Sequence, residues 1–171
     1  MTTTARHPVI HLSDLQPEGR PAEWAPPPAV AARIEVRRAP IADALGLRLV
    51  GCNLTVVPPG KAAYPHHSHL ANDELFVILE GVGQLRLGDA RHALRAGDVV
   101  GCPRGDASTA HQIINTGDAD LRYLSISSMV TPEICEYPDS GKVAAYFIDE
   151  AGNEFAHITR KGDDRDYWDG E

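Results

Sequence analysis

No stretch of this 171-residue sequence stays apolar for the roughly 20 residues that a membrane-crossing helix needs, so no membrane partner is expected. Lys and Arg, 16 in all against 24 Asp and Glu, form no long run, and the formal net charge is −8. That balance is a poor match for a nucleic acid or an anionic lipid surface. The three cysteines, Cys52, Cys102 and Cys135, show no CxxC spacing. This excludes a zinc knuckle and a CxxC redox pair, and predicts reduced, mostly buried thiols. No segment sustains the period of a strong amphipathic helix, which disfavours an α/β fold, and no helix-turn-helix is attached to suggest a transcription factor. The opening residues lack the apolar core of a signal peptide, so the expected compartment is the cytoplasm.

What remains is a chain that folds. Its apolar fraction of 43% and charged fraction of 23% are ordinary for a globular protein, and the length suits one domain with a sizeable core. Residues 1–32 are rich in proline and poor in pattern, ending in "RPAEWAPPPAV", and predict an arm over the domain anchored by burial of Trp24. From about residue 33 to 130 short apolar runs are punctuated by Gly, Pro, Asn and Asp: "LRLVGCNLTVV", "ELFVILEG", "GQLRLGD", "DVVGCP", "HQIINT" and "LRYLSIS". This is the rhythm of short strands in an all-β sandwich or barrel. Residues 131–171 form an extension in which "KVAAYFIDEAGNEFAHITR" predicts a hairpin about Gly152-Asn153, followed by an acidic end carrying Tyr167 and Trp168 as a docking anchor or an interface contact.

The chemistry concentrates in "PHHSHLANDE", Pro65 to Glu74. On a strand, residues two apart share a side, so His67 and His69 can aim at one point, whereas His66 shares its side with Ser68. Glu74 follows the loop-like "LAND", which can reset the alternation, and His111 opens a later strand. Three neutral imidazoles and a carboxylate suit Mn, Fe, Ni, Co or Zn as divalent ions, and suit Ca or Mg poorly.

These residues carry a resemblance to the cupins. The first cupin motif is met by His67-x-His69, four residues, Glu74, six residues and Gly81; the second by Gly97, five residues, Pro103-x-Gly105, then His111, three residues and Asn115. The sequence departs from the family pattern in two loops. Gly60 lies six residues before His67 instead of five, and Gly105 five residues before His111 instead of two. The ends "LRYLSIS", "EYPDSGK" and "DYWDGE" resemble one bacterial group of cupins. The resemblance implies an antiparallel double-stranded β-helix with one divalent transition metal inside, held by His67, His69, Glu74 and His111, and a homodimer paired through strand or arm exchange.

Each residue has a plainer reading. Glu74 could orient a ligand instead of binding the metal. His66 is expected at the surface or the pocket rim, and Asn115 as a strand-end hydrogen-bonding residue. Gly81, Gly97 and Gly105 are turn formers at positions that tolerate positive φ. Tyr64, Phe76, Ile78 and Tyr123 are candidates for the pocket wall or for ordinary core packing, and Tyr64, His66 and Tyr123 are the candidates for a general base. Four protein ligands on a six-coordinate metal leave two positions for a small oxygen-rich or carbohydrate-like molecule. That arrangement suits isomerase, lyase or dioxygenase chemistry. A non-catalytic binder or sensor and a closed structural metal site are the alternatives.

Overall fold

The computed structural model describes residues 8–149 and 151–171. The first seven residues of the expected arm and Glu150 at the hairpin turn lie outside the described residues. Twelve strands follow in order: β1 (Arg37–Pro40), β2 (Val50–Val57), β3 (Ser68–His69), β4 (Glu74–Glu80), β5 (Val82–Leu87), β6 (Ala90–Arg95), β7 (Val99–Cys102), β8 (His111–Asn115), β9 (Leu121–Ser128), β10 (Glu133–Tyr137), β11 (Lys142–Ile148) and β12 (Glu154–Arg160). The two α-helical turns, α1 (Pro28–Ala31) and α2 (Ala42–Leu45), are four residues each. No helix among the described residues is long and apolar enough to cross a membrane.

The strands form three antiparallel sheets, ordered β1-β2-β9-β4-β7, β6-β5-β8 and β12-β11-β10-β3. One core draws on the first two. Phe76 and Ile78 of β4, Val100 of β7 and Tyr123 of β9 meet Leu85 of β5, Leu94 of β6 and Ile113 of β8. The alternation visible in β8, where His111, Ile113 and Asn115 are buried between half-buried neighbours, sends every second residue to this core. Burying a side chain the size of Ile78 contributes about 1.5–3 kcal/mol.

Tight turns set the registers. Gly81 joins β4 to β5 at φ 86°, and a Cβ there would meet the Asp120 carbonyl oxygen at 2.7 Å, so both backbone angle and space require glycine. Gly97 also has positive φ, but Gly105 does not. Gly105 sits in the lengthened loop before β8, where Asp106 caps a 3-10 turn at Ala107–Thr109 through the Ser108 N–H at 2.9 Å. Asn115 closes β8 as a hydrogen-bonding residue, donating to the Val57 and Ala119 carbonyls, both at 2.8 Å.

The arm docks differently from expectation. Ile10, Leu12 and Leu15 pack on Ala39, Ile41 and Leu54, and Glu18 exchanges two backbone hydrogen bonds with Arg38 of β1, at 2.9 and 2.8 Å. Trp24 is 73% exposed and anchors nothing by burial, because the aliphatic residues before it already supply the apolar contact. Tyr167 and Trp168 pack edge to face on each other and are exposed, so they are not a buried anchor on this domain. The hairpin β11–β12 turns where its sequence predicts, with the Asp149 carboxylate accepting from the Ala151 and Asn153 N–H groups.

Candidate metal centre

His67 and His111 lie opposite each other as an isolated antiparallel bridge. The His67 N–H donates to the His111 carbonyl at 3.1 Å and the His111 N–H to the His67 carbonyl at 2.8 Å. A mutually bonded pair of this kind holds two side chains on one face of the ladder. Two residues on, His69 of β3 pairs with Cys135 of β10. The ring centroids of His67 lie 4.9 Å from those of His69 and 4.8 Å from those of His111.

Glu74 reaches the group because the intervening loop is clamped. The Leu70 and Ala71 N–H groups both donate to Glu133 Oε1 at 3.1 Å, and the Asn72 amide donates to the second oxygen of Glu133 and to the Val130 carbonyl. The chain therefore re-enters a strand at Glu74 with its carboxylate turned inward. His111 Nε2–H donates to Glu74 Oε2 at 2.7 Å, and His69 Nε2 lies 3.3 Å from the same oxygen. One ligand atom from each of His67, His69, Glu74 and His111 falls within 4.8 Å of the others, so the group could hold a metal ion.

For His67 and His69 the outer ring nitrogen is engaged in a way that turns the inner one to the centre, whereas His111 Nδ1 is buried without a hydrogen-bond partner. His67 Nδ1–H donates to the Pro65 carbonyl at 2.8 Å, leaving Nε2. His69 Nδ1 contacts Cys135 Sγ at 3.3 Å and lies 3.5 Å from Glu133 Oε2. His69 Nε2 is buried and makes no directed hydrogen bond despite its closeness to Glu74. A buried polar atom left so costs about 1–3 kcal/mol, a cost that a bound cation would remove. The residues present thus fit a divalent transition metal in number, donor type and orientation.

Electrostatics bear on the same point. Burial, together with the neighbouring His111 and His69, holds the His67 imidazole down to about 4, so it is neutral and competent as a ligand at pH 7. Burial opposes charge on His69 too, but the Cys135 and Glu74 side chains beside it outweigh burial and push it up to about 10. For Glu74, burial opposes ionisation, yet the hydrogen bond from His111 and the closeness of His69 prevail and hold its carboxyl well below the usual carboxylate range. Burial and the nearby Glu74 push the Cys102 thiol up to about 12, so that cysteine is an inert core residue.

A cavity of about 220 Å³ opens onto the four side chains, with Arg38, Tyr64, Phe76, Gln112 and Tyr123 in its lining. Ile78 is not part of that wall. It is 1% exposed and lies farther along β4 from Phe76, inside the core. His66 is not at the surface or the rim. It is 3% exposed, because β3 is covered on its other side as well, and its Nε2–H donates to the Ala110 carbonyl at 2.9 Å. The sequence reading missed Glu133 and Cys135, which stand behind His69, and Arg38 and Gln112 in the wall. Nothing local marks them, since each arrives through pairing with a distant strand.

Residues 53–127 match the Cupin domain family, Cupin_2. The stretch covers both motifs and the strands β3 to β8. Residues 53–127 are a cupin domain. Among solved structures, a sugar phosphate isomerase of the cupin superfamily from Silicibacter pomeroyi is 26% identical, with a TM-score of 0.74 over 95% of this chain and 98% of that one. A putative sugar phosphate isomerase from Acidithiobacillus ferrooxidans is 29% identical, with a TM-score of 0.65 over 75% of this chain and 80% of that one. An uncharacterized protein of Methanocaldococcus jannaschii is 32% identical over 72 residues, 42% of this chain. The match spans about half (54%) of that curated relative's length. The antiparallel sheets thus form the double-stranded β-helix, and the additional strands β10–β12 extend it, with β10 bracing β3.

Proposed function

We propose that this cupin is a metal-dependent isomerase acting on a small phosphorylated sugar that chelates the metal through two oxygens. His67, His69, Glu74 and His111 are the proposed ligands, and the arm 1–32 and extension 131–171 serve as accessories to the barrel 33–130. The observation that carries the reading is the four-ligand group facing a cavity walled by hydrogen-bonding side chains. The likeness to a sugar phosphate isomerase over nearly the whole chain supports the substrate class. When bound, the metal supplies Lewis-acid polarisation of a carbonyl or hydroxyl oxygen.

The chain's own groups divide the remaining work. Tyr64 stays protonated, because burial raises its pKa more than the nearby Arg38 and Arg20 lower it, so it serves as a hydrogen-bond donor to a sugar oxygen. Tyr123, fully buried and raised further, shapes the floor. His66 is removed from the general-base candidates by its position behind the strand.

The test is incubation of metal-analysed protein with a panel of phosphorylated aldoses in D₂O, followed by NMR. Deuterium at the carbon beside the carbonyl, with ketose signals growing in, is the expected result. A panel without turnover, on protein that holds its metal, sinks the isomerase reading and leaves a ligand-binding cupin. Iron with oxygen uptake would instead mark a dioxygenase.

A further inference from the structure

The metal cavity does not end at the metal. A second cavity of about 320 Å³ shares Tyr64 and His67 with the first. Its lining includes two cations, Arg20 from the arm and Lys142 from β11, and no carboxylate. In a chain of net charge −8, a concave surface lined by positive charge alone is a local reversal. Arg38 extends it inward, lining the first cavity, where the carboxylate, Glu74, is already engaged by His69 and His111.

The cations are held over aromatic rings and not by acids. Arg20 Cζ lies 5.4 Å and Arg38 Cζ 6.0 Å from the centre of the Tyr64 ring, and Lys142 Nζ lies 5.2 Å from that of Tyr137. Tyr137 in turn stacks on His67, with centroids 6.0 Å apart. Among the described residues none of the three cations is in an ion pair, whereas Arg37, Arg86, Arg122 and Lys161 each have a carboxylate partner. An aromatic ring positions a cation without neutralising it, so its hydrogen-bond donors stay available to a ligand.

We propose that Arg20 and Lys142, with Arg38 at the junction, form an anion subsite that takes the phosphate end of the substrate while its sugar oxygens face the metal ligands. This deepens the isomerase reading and rests on it for the identity of the ligand's other end. It also gives the arm a function: Arg20 belongs to neither cupin motif, yet it completes the site.

The test is calorimetric titration of the full chain, as purified and again after chelation, with inorganic phosphate, ribose 5-phosphate and ribose. Chelation removes any metal to which phosphate could bind. Wild-type protein is expected to bind phosphate in both states, and R20Q and K142Q each to weaken phosphate and ribose 5-phosphate by about tenfold while leaving ribose unchanged. R91Q, on exposed β6 outside both cavities, is expected to match wild type, and the charge-preserving pair R20K and K142R to retain binding whatever the glutamine variants do to folding. Wild-type affinity for phosphate in an R20Q/K142Q double variant, or phosphate binding that vanishes on chelation, overturns the proposal. Lack of turnover with phosphate binding intact counts against the isomerase reading alone.

Discussion

Cys135 Sγ stands 3.3 Å from His69 Nδ1, on the strand that pairs with β3. The thiol and Glu133 therefore fix the ring of a proposed ligand histidine from behind, an arrangement known to set both orientation and basicity of a metal-bound imidazole. C135A is expected to lower metal affinity by about tenfold to 100-fold with the fold kept, and C135S by less. Competition titration against a chelating dye measures this. Unchanged affinity would transfer the orienting role to Glu133.

Removal of any one of the three inner imidazoles has a sharper outcome. H67A, H69A and H111A are each expected to abolish stoichiometric metal in elemental analysis. H66A is expected to keep its metal but to lose about 0.5–1.5 kcal/mol of stability, because the Ala110 carbonyl keeps the Gly88 N–H but loses its second, buried donor. Metal lost from H66A alone would reverse the ligand assignment.

Metal affinity should depend on pH with a defined sign. The metal-free His69 is protonated up to about pH 10, so a metal ion must displace one proton below that pH. Affinity is expected to rise about tenfold per pH unit from about pH 5 to 9, and to fall more steeply below about pH 4, where His67 also takes a proton. Calorimetry in buffers of different ionisation enthalpy counts the released proton. A flat profile with no proton released would show that His69 is not displaced from its proton and does not bind.

Association of two chains is the fourth expectation. Leu49, Leu75, Val99 and Met129 expose apolar side chains, at 82%, 39%, 64% and 49%. A homodimer is expected by light scattering coupled to size exclusion, and L75E/V99E is expected to yield monomers. A wild-type monomer at micromolar concentration contradicts it.

The grouping of the four proposed ligands was legible because their spacing is dictated locally. Strand alternation puts His67 with His69, and the motif intervals bring in Glu74 and His111. The strands themselves were visible from their alternation, but β1, β6 and β10 were not singled out. The polar run "ARHALR" of β6 buries only Leu94 and so shows no apolar period. The rest of the site depends on contacts between remote segments. Arg20, Lys142, Glu133 and Cys135 come from an arm and an extension whose registers no local pattern fixes. Trp24 misled for a related reason: a large aromatic marks apolar contact only when nothing smaller has made it first.

The pairing of β3 with β10 also bears on when the protein becomes functional. During synthesis the histidine strand emerges well before its partner, and β10 is the strand against which β3 is laddered. A nascent chain stalled anywhere short of Tyr137 would hold its histidines without the backbone that aligns His69. Metal loading is thus expected to wait until β10 has emerged and paired, and a truncation that removes the extension should cost the centre even though all four proposed ligands remain.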